Sequence, residues 1–315
     1  MVSGMPMSAA AGIGTLTIDC RECGASLAVA LELRTAQCPY CASTSVVERP
    51  PSRDRPAPAF VVGFVLDRTH AERTLRRWTA SRWFAHPGFK RASIDAMRGV
   101  YVPAYLYGAV ANAEYEAQIG ENYTEVQTYT TTVNGRTVTR TRTVTKTEWR
   151  QLSGRYAGYV LDVVVTASKG VPNDELQAIE PYDLRALRRY NPGLLSGWIA
   201  EEPSRTFEEC VKLAHEETVA ALGAKLDKFM PGDSHSSLTY RPTLEHQVVD
   251  LLLLPVWTCA VRYAPDKPAL RILLNGQTGK AAGKVPRSWW KIAGTIGIGL
   301  GLLALLAWWL GAFGA

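Results

Sequence analysis

What the chain lacks narrows its chemistry first. A nucleotide-driven motor needs glycines and a lysine spaced GxxxxGK, followed by Ser or Thr, so that backbone N–H groups cradle phosphate. The nearest stretch, Gly276-Gln277-Thr278-Gly279-Lys280, has the wrong spacing and runs into Ala281. Histidine is scarce, with five residues in 315. His215-Glu216 begins as a metalloprotease helix would, yet Val219 stands where the second histidine belongs. His70, His86, His235 and His246 have no partners in sequence. Cys210 lies on the apolar side of a helical pattern and Cys259 in a buried-looking strand, so both read as core. No catalytic constellation stands out, and the expectation is a protein that is not an enzyme. Excess charge is also small: 35 Lys and Arg against 29 Asp and Glu leave +6, too weak to mark a nucleic-acid binder. With 20% charged and 9% aromatic residues the chain is not disordered throughout, and its length suits about two globular units.

Charge is missing most completely at the C-terminal end, where no charged residue occurs from Ile292 to Ala315. A helix needs about 20 apolar residues to cross a bilayer core. The run therefore predicts one transmembrane helix over Ile292 to Leu310, within an anchor segment at 289–315. Trp289 and Trp290 before it and Trp308 and Trp309 near its far end make two interfacial belts. Lys280, Lys284, Arg287 and Lys291 precede it, which predicts a cytoplasmic N-terminal bulk at the bacterial inner membrane. No lysine or arginine comes before Arg21, so the N-terminus does not read as a signal peptide and the chain reads as tail-anchored. Gly297 and Gly301 form a GxxxG pair through which two copies could pack, making a homo-oligomer one alternative.

Four of the six cysteines fall as Cys20-x2-Cys23 and Cys38-x2-Cys41, with 14 residues between the pairs. Two such knuckles complete a tetrahedral four-thiolate site, so a structural Zn2+ in a small ribbon at 16–48 is expected. A cytoplasmic face keeps thiols reduced, which favours metal over disulfides. Gly24 and Pro39 suit the sharp turns, and the alternating start of SLAVALELRTAQ reads as a strand. The ribbon's basic residues, Arg21 and Arg34, are offset by Glu22 and Glu32, so it offers no basic stripe for nucleic acid. Residues 1–15 read as disordered and the proline-rich 49–59 as a spacer holding the ribbon apart from the body.

The body, 60–288, reads as α+β and β-rich with a few helices. Phe60–Leu66 is a short strand; Asp67 then caps a helix with Leu75, Trp78 and Phe84 inward. Arg73, Arg76 and Arg77 lie on it, within a basic run that could meet anionic lipid or a partner. Gly99–Gly120 reads as β structure, Gly154–Ala167 as a strand pair, and Asp174–Arg189 as one or two short helices. Between them, threonine alternates with other residues around Asn134-Gly135, a type I′ turn pair. That predicts a long, exposed β-hairpin at about 122–149, with Arg136, Arg140 and Arg142 on its return arm. Thr206 and Glu209 have capping-box spacing before a helix with Phe207, Cys210, Val211, Ala214, Leu222, Leu226 and Phe229 on its apolar side. VVDLLLLPVWTCAVRYA and ALRILL read as two central strands.

In this order, the CxxCG and CPYC pairs, RRWTASRWF, GVYVPAYLY, DLRALRRYNPGLLSGW, AEEPSRTFEE, LLLPVWTCAVRY, LNGQTGK and PRSWWKI resemble a bacterial family of membrane-anchored zinc-ribbon proteins. Its members are called TFIIB-type zinc-ribbon proteins, sometimes primosomal protein N′ helicases, and it includes the YdjG-type proteins. The resemblance spans Cys20 to Ile292. It implies a structural role for the four cysteines and an association with SPFH-domain proteins and PspA-like, ESCRT-III-related membrane remodellers. The helicase label does not suit a chain without a motor motif. The function expected is a membrane-anchored scaffold or adaptor that recruits protein partners in membrane-stress response or remodelling. The alternative is a membrane-tethered nucleic-acid-binding protein using the ribbon and the arginine-rich segments.

Overall fold

Residues 15–30, 38, 40, 46–49, 56–133, 136–195 and 198–313 are described in a computed structural model. The fold is mixed α+β and strand-rich. Three short strands come first: β1 (Thr15–Cys20), β2 (Ser26–Ala30) and β3 (Val46–Arg49). Then follow β4 (Phe60–Val61), helix α1 (Arg68–Ala80) and the single turn α2 (Pro87–Lys90). Two very long strands, β5 (Ser93–Val133) and β6 (Arg136–Thr166), lead to α3 (Asn173–Ile179), β7 (Arg188–Arg189) and β8 (Ile199–Glu202). The chain closes with α4 (Phe207–Phe229), β9 (Ser234–Arg262), β10 (Leu270–Asn275), β11 (Ala281–Gly283) and α5 (Trp289–Phe313). The strands join in the order β11-β10-β9-β5-β8-β2-β1-β3, with β6 pairing β5 and β4 pairing β7 and β9.

Two compact units divide the chain: Met1–Tyr105, Val165–Cys210 and Asp250–Ala315 in one, Leu106–Val164 and Val211–Val249 in the other. In the first, Asp67 caps α1 by accepting a hydrogen bond from the His70 N–H (2.7 Å), as the sequence predicts. Leu75 of α1 is buried with Phe89, Trp257, Ile272 and Leu274, and Trp78 is partly buried against them. Phe84 differs from expectation: α1 ends at Ala80, so Phe84 leaves the helical register and is exposed. Phe64 stacks on Trp198 (4.0 Å between centroids) and meets Tyr101 and Trp257 edge-on.

In the second unit, Ala111, Ala113 and Ala117 line one face of β5, two residues apart or a multiple of two. Small residues there leave room for Leu222 and Leu226 of α4. Burying each such leucine contributes roughly 1.5–3 kcal/mol. The buried positions of α4 in this unit, Ala214, Thr218, Leu222 and Leu226, recur every fourth residue, one inclined row of the helix surface. The capping box before α4 forms in both directions: Thr206 N–H to Glu209 Oε2 (3.1 Å) and Glu209 N–H to Thr206 Oγ1 (3.2 Å). Phe207 and Phe229, at the ends of the expected apolar side, are half exposed.

Glycines at 120 and 154 suggest strand ends in the sequence, yet β5 and β6 run through them. Gly154 marks a close approach rather than a turn, since a Cβ there would lie 2.7 Å from the Tyr115 hydroxyl. The stretch expected as a separate hairpin is thus the outer part of two longer strands, and its Asn134-Gly135 link lies outside the described residues. Strand β9 likewise begins at Ser234, fourteen residues before the expected start at Val248, where Pro242 and scattered polar residues hide the pattern.

Candidate metal centre

β1 ends at Cys20, and the chain turns through Arg21–Cys23 before β2 starts at Ser26. The turn closes with two backbone bonds, Gly24 N–H to Cys20 O and Cys20 N–H to Ala25 O, both 2.9 Å. Gly24 has φ +73°, a left-handed conformation that glycine adopts without strain. The result is a knuckle that sends the Cys20 and Cys23 thiols to one side. Cys38, from the second pair, joins them: the three sulfurs lie within 4.8 Å of one another. Cys41, the fourth expected ligand, lies outside the described residues, as does Pro39.

The donor set suits a metal. Cys23 Sγ and Cys38 Sγ are 3.6 Å apart, far beyond the roughly 2.05 Å of a disulfide. That spacing is close to the edge of a tetrahedron with metal–sulfur bonds of about 2.3 Å, which is about 3.8 Å. Cys20 and Cys38 are buried. Three N-terminal cysteines therefore form a cluster that could hold a metal ion. The other two described cysteines take no part: burial pushes the Cys210 thiol up to about 11 and Cys259 up to about 12, so both stay protonated at neutral pH.

The proline-rich stretch at 49–59 predicts a ribbon held apart from the body; the strand pairing differs. β1 pairs with β2 on one side and β3 on the other, all antiparallel. The second edge of β2 pairs with β8 of the body, with Leu27 opposite Glu201 and Ala28 opposite Ala200. An open edge on so small a sheet would leave its backbone groups to water or to stray strands, and β8 removes that edge. The three N-terminal strands are an extension of the same sheet as β8.

A buried polar contact lies at this junction. The Tyr40 hydroxyl donates to Glu201 Oε2 (2.6 Å) and the Ser168 hydroxyl donates to Glu201 Oε1 (2.6 Å). Ser168 Oγ in turn accepts from the Val171 N–H (3.0 Å). Burial pushes the Glu201 carboxyl up to about 7, against the hydroxyl donors, which favour the ionised form. Burial and the neighbouring Glu201 together hold the Tyr40 phenol well above its ordinary value, so it stays a donor. Gly170 lets the two parts approach: a Cβ there would lie 2.6 Å from Ala25 Cβ and 2.9 Å from Tyr40 Cδ2. Sequence reasoning missed Glu201. Its signal was the Glu201-Glu202 pair, since one of two adjacent strand residues must face inward.

The other singled-out residues are spread over the chain. Trp289, Trp290 and Lys291 open α5, and Trp308 and Trp309 sit near its far end. From Trp289 to Trp309 this helix is long and apolar enough to cross a membrane, and none of it is buried. Gly297 and Gly301 face open space. Arg73, Arg76 and Arg77 are exposed on α1, where Arg76 pairs with Glu72 (2.9 Å). Arg140 and Arg142 are exposed on β6; Arg142 donates to Gln127 (3.2 Å) and lies over the Tyr129 ring. Arg136 begins β6, and its side chain lies outside the described residues. The two arginine groups belong to different compact units.

Comparison with known proteins adds one relative. The chain is 28% identical over 239 residues to the uncharacterized protein YdjG of Bacillus subtilis (strain 168). The matched region covers 75% of this chain and 66% of YdjG, just under two thirds of that protein's length. That agrees with the YdjG-like resemblance. No family model and no solved structure matches.

Proposed function

We propose that the protein is a membrane-anchored zinc-ribbon scaffold that recruits protein partners and carries out no chemistry itself. The observation that carries this reading is the pairing of β2 with β8, which builds the thiol cluster into the same compact unit as the exposed apolar helix α5. The metal is zinc, held by Cys20, Cys23, Cys38 and Cys41. A closed thiolate site of this kind supports folding, with no open position for water. Helix α5 crosses the bilayer, and the basic flank Lys280, Lys284, Arg287 and Lys291 keeps the preceding body cytoplasmic. Because the ribbon's inner edge is taken by β8, the surface it offers is its outer edge, where β3 ends the described strand order. A partner strand can add there. The exposed outer stretch of β5 and β6, a projecting hairpin in this reading, offers a second surface of backbone and arginine. Resemblance points to SPFH-domain and PspA-like membrane remodellers as partners.

Affinity purification from detergent-solubilised membranes, comparing the intact chain with Cys38→Ser, tests the proposal. Expected are SPFH-domain or PspA-like proteins that co-purify at moderate salt and are lost in the variant. Nucleic acid or replication proteins, released steeply as salt rises, would overturn it in favour of a nucleic-acid tether.

A further inference from the structure

This inference rests on α5 being a membrane span, and it concerns how the body meets the lipid. Residues just before α5 are fastened to the loop that follows α1. The His86 N–H donates to Pro286 O and the Ser288 N–H to Phe84 O, each at 2.8 Å. Ala85 and Arg287 form an antiparallel bridge between them. The Lys291 ammonium then donates to the carbonyls of Trp83 and Ala85, both at 3.2 Å. These bonds hold residues 82–86 at the point where α5 begins, so a bilayer crossed by α5 must lie beside them.

The loop is composed for such a place. Trp83 is 71% exposed and Phe84 half exposed, and α5 opens with the exposed Trp289 and the 91% exposed Trp290. Large aromatic side chains left open to water are costly in a soluble surface and suited to the bilayer interface. Charge has one sign: 81–91 and 281–291 contain no Asp or Glu, but hold Arg82, Lys90, Arg91, Lys284, Arg287 and Lys291. Between loop and helix runs an open groove lined by Phe84, Ile292 and Ile296, with Arg287 at its side. An apolar groove beside a guanidinium matches an acyl chain below a phosphate. The geometry points to a binding surface for anionic phospholipid, formed by residues 82–91 and the first turn of α5. Arg82, Lys90 and Arg287 meet the headgroup phosphates, and Trp83 and Phe84 enter the acyl boundary. The body is thereby held against the membrane in one orientation instead of swinging on a single helix.

The full chain in phosphatidylcholine vesicles, with and without phosphatidylglycerol, tests this. Hydroxyl-radical oxidation of Trp83 is followed by mass spectrometry, with the exposed Tyr159 as reference, and carbonate extraction reports the span. Expected is a carbonate-resistant chain whose Trp83 is oxidised about fivefold or more slowly in the anionic vesicles, given about a fivefold preference per basic residue at such a surface. Arg82→Glu/Lys90→Glu, at two exposed positions outside the α5 contacts, should restore oxidation, and so should about 1 M salt on the unaltered chain. A resistant chain with Trp83 equally reactive in both vesicles would overturn the lipid surface and leave the span standing. Shielding that ignores both lipid charge and salt would overturn the preference for anionic lipid too, and indicate burial in any bilayer that α5 crosses or cover by a second copy. A chain that carbonate extracts would overturn the span and this inference together.

Discussion

Two pieces of β structure here are held in opposite ways. At the metal corner, three thiols converge, a buried carboxyl takes two hydroxyl donors, and β2 pairs with β8. Along the outer stretch of β5 and β6 the side chains are mostly exposed, and cross-strand pairs do the holding. Glu121 pairs with Arg150 (2.5 Å), Asn122 with Thr147 (2.7 Å), Glu125 with Lys146, and Gln127 with Arg142 (3.2 Å). One index rises as the other falls, as in antiparallel strands. The corner concentrates its stabilisation in a few buried groups, so single changes there should undo it. The arm spreads its stabilisation over many weak terms, so single changes should hardly matter.

The largest effect should come from the metal. On the zinc reading proposed above, the ion would contribute up to the roughly 10–16 kcal/mol it supplies in small thiolate domains, less whatever the pairing of β2 with β8 already holds. Cys38→Ser should abolish metal binding at the cluster, and amides of β1 and β2 should then exchange at nearly unfolded rates while β5 and β6 keep their protection. Hydrogen–deuterium exchange by mass spectrometry reads both. Protected β1 and β2 amides in the metal-free variant would mean that pairing with β8, not the ion, holds the corner.

Glu201 should come next. Its ordinary value of 4.5 is raised to about 7 by burial, so the folded state keeps its proton where the unfolded state has lost it. The contribution is fully present below 4.5 and is lost as pH rises through about 7. The gap corresponds to roughly 3 kcal/mol, and thiol protonation at low pH pulls the other way by releasing metal. Glu201→Gln should therefore remove the part of the slope in which stability falls with rising pH, visible as the difference between variant and parent melts from pH 5.5 to 7.5. Parallel curves would show that Glu201 is ionised throughout. Gly170→Ala should cost about 1–3 kcal/mol by forcing a methyl against Ala25 and Tyr40. It should loosen β2 and β8 in exchange measurements without touching the arm.

How much of this was legible in sequence follows from the same contrast. The cysteine pairs, the Asp67 cap, the Thr206–Glu209 capping box and the apolar run at α5 are local patterns, readable within a few residues. Docking of the ribbon on β8 was not readable, because it joins Leu27 to Glu201 across most of the chain. A proline-rich stretch argued for separation, and nothing local said which strand would take the open edge. Phe84 went astray for a local reason: nine residues beyond Leu75 is about half a turn away from the buried face, and α1 in any case ends at Ala80. The aromatics beyond it then answer to the segment before α5.

The smallest effect should be Arg150→Ala. Arg150 and Glu121 are both more than half exposed, so water and salt screen their attraction. Exposed pairs of this kind contribute about 0–1 kcal/mol, and Arg150 also lies near Glu148 (3.9 Å), which divides its charge between two partners. Losing the arginine should leave the global melt unchanged and raise exchange only at amides near 121 and 150, by a factor of up to about five. In about 1 M salt the parent should already behave like the variant. A loss well above 1 kcal/mol, or one that salt does not erase, would mean that the arm depends on a few residues after all and that the contrast with the metal corner is one of chemistry but not of design.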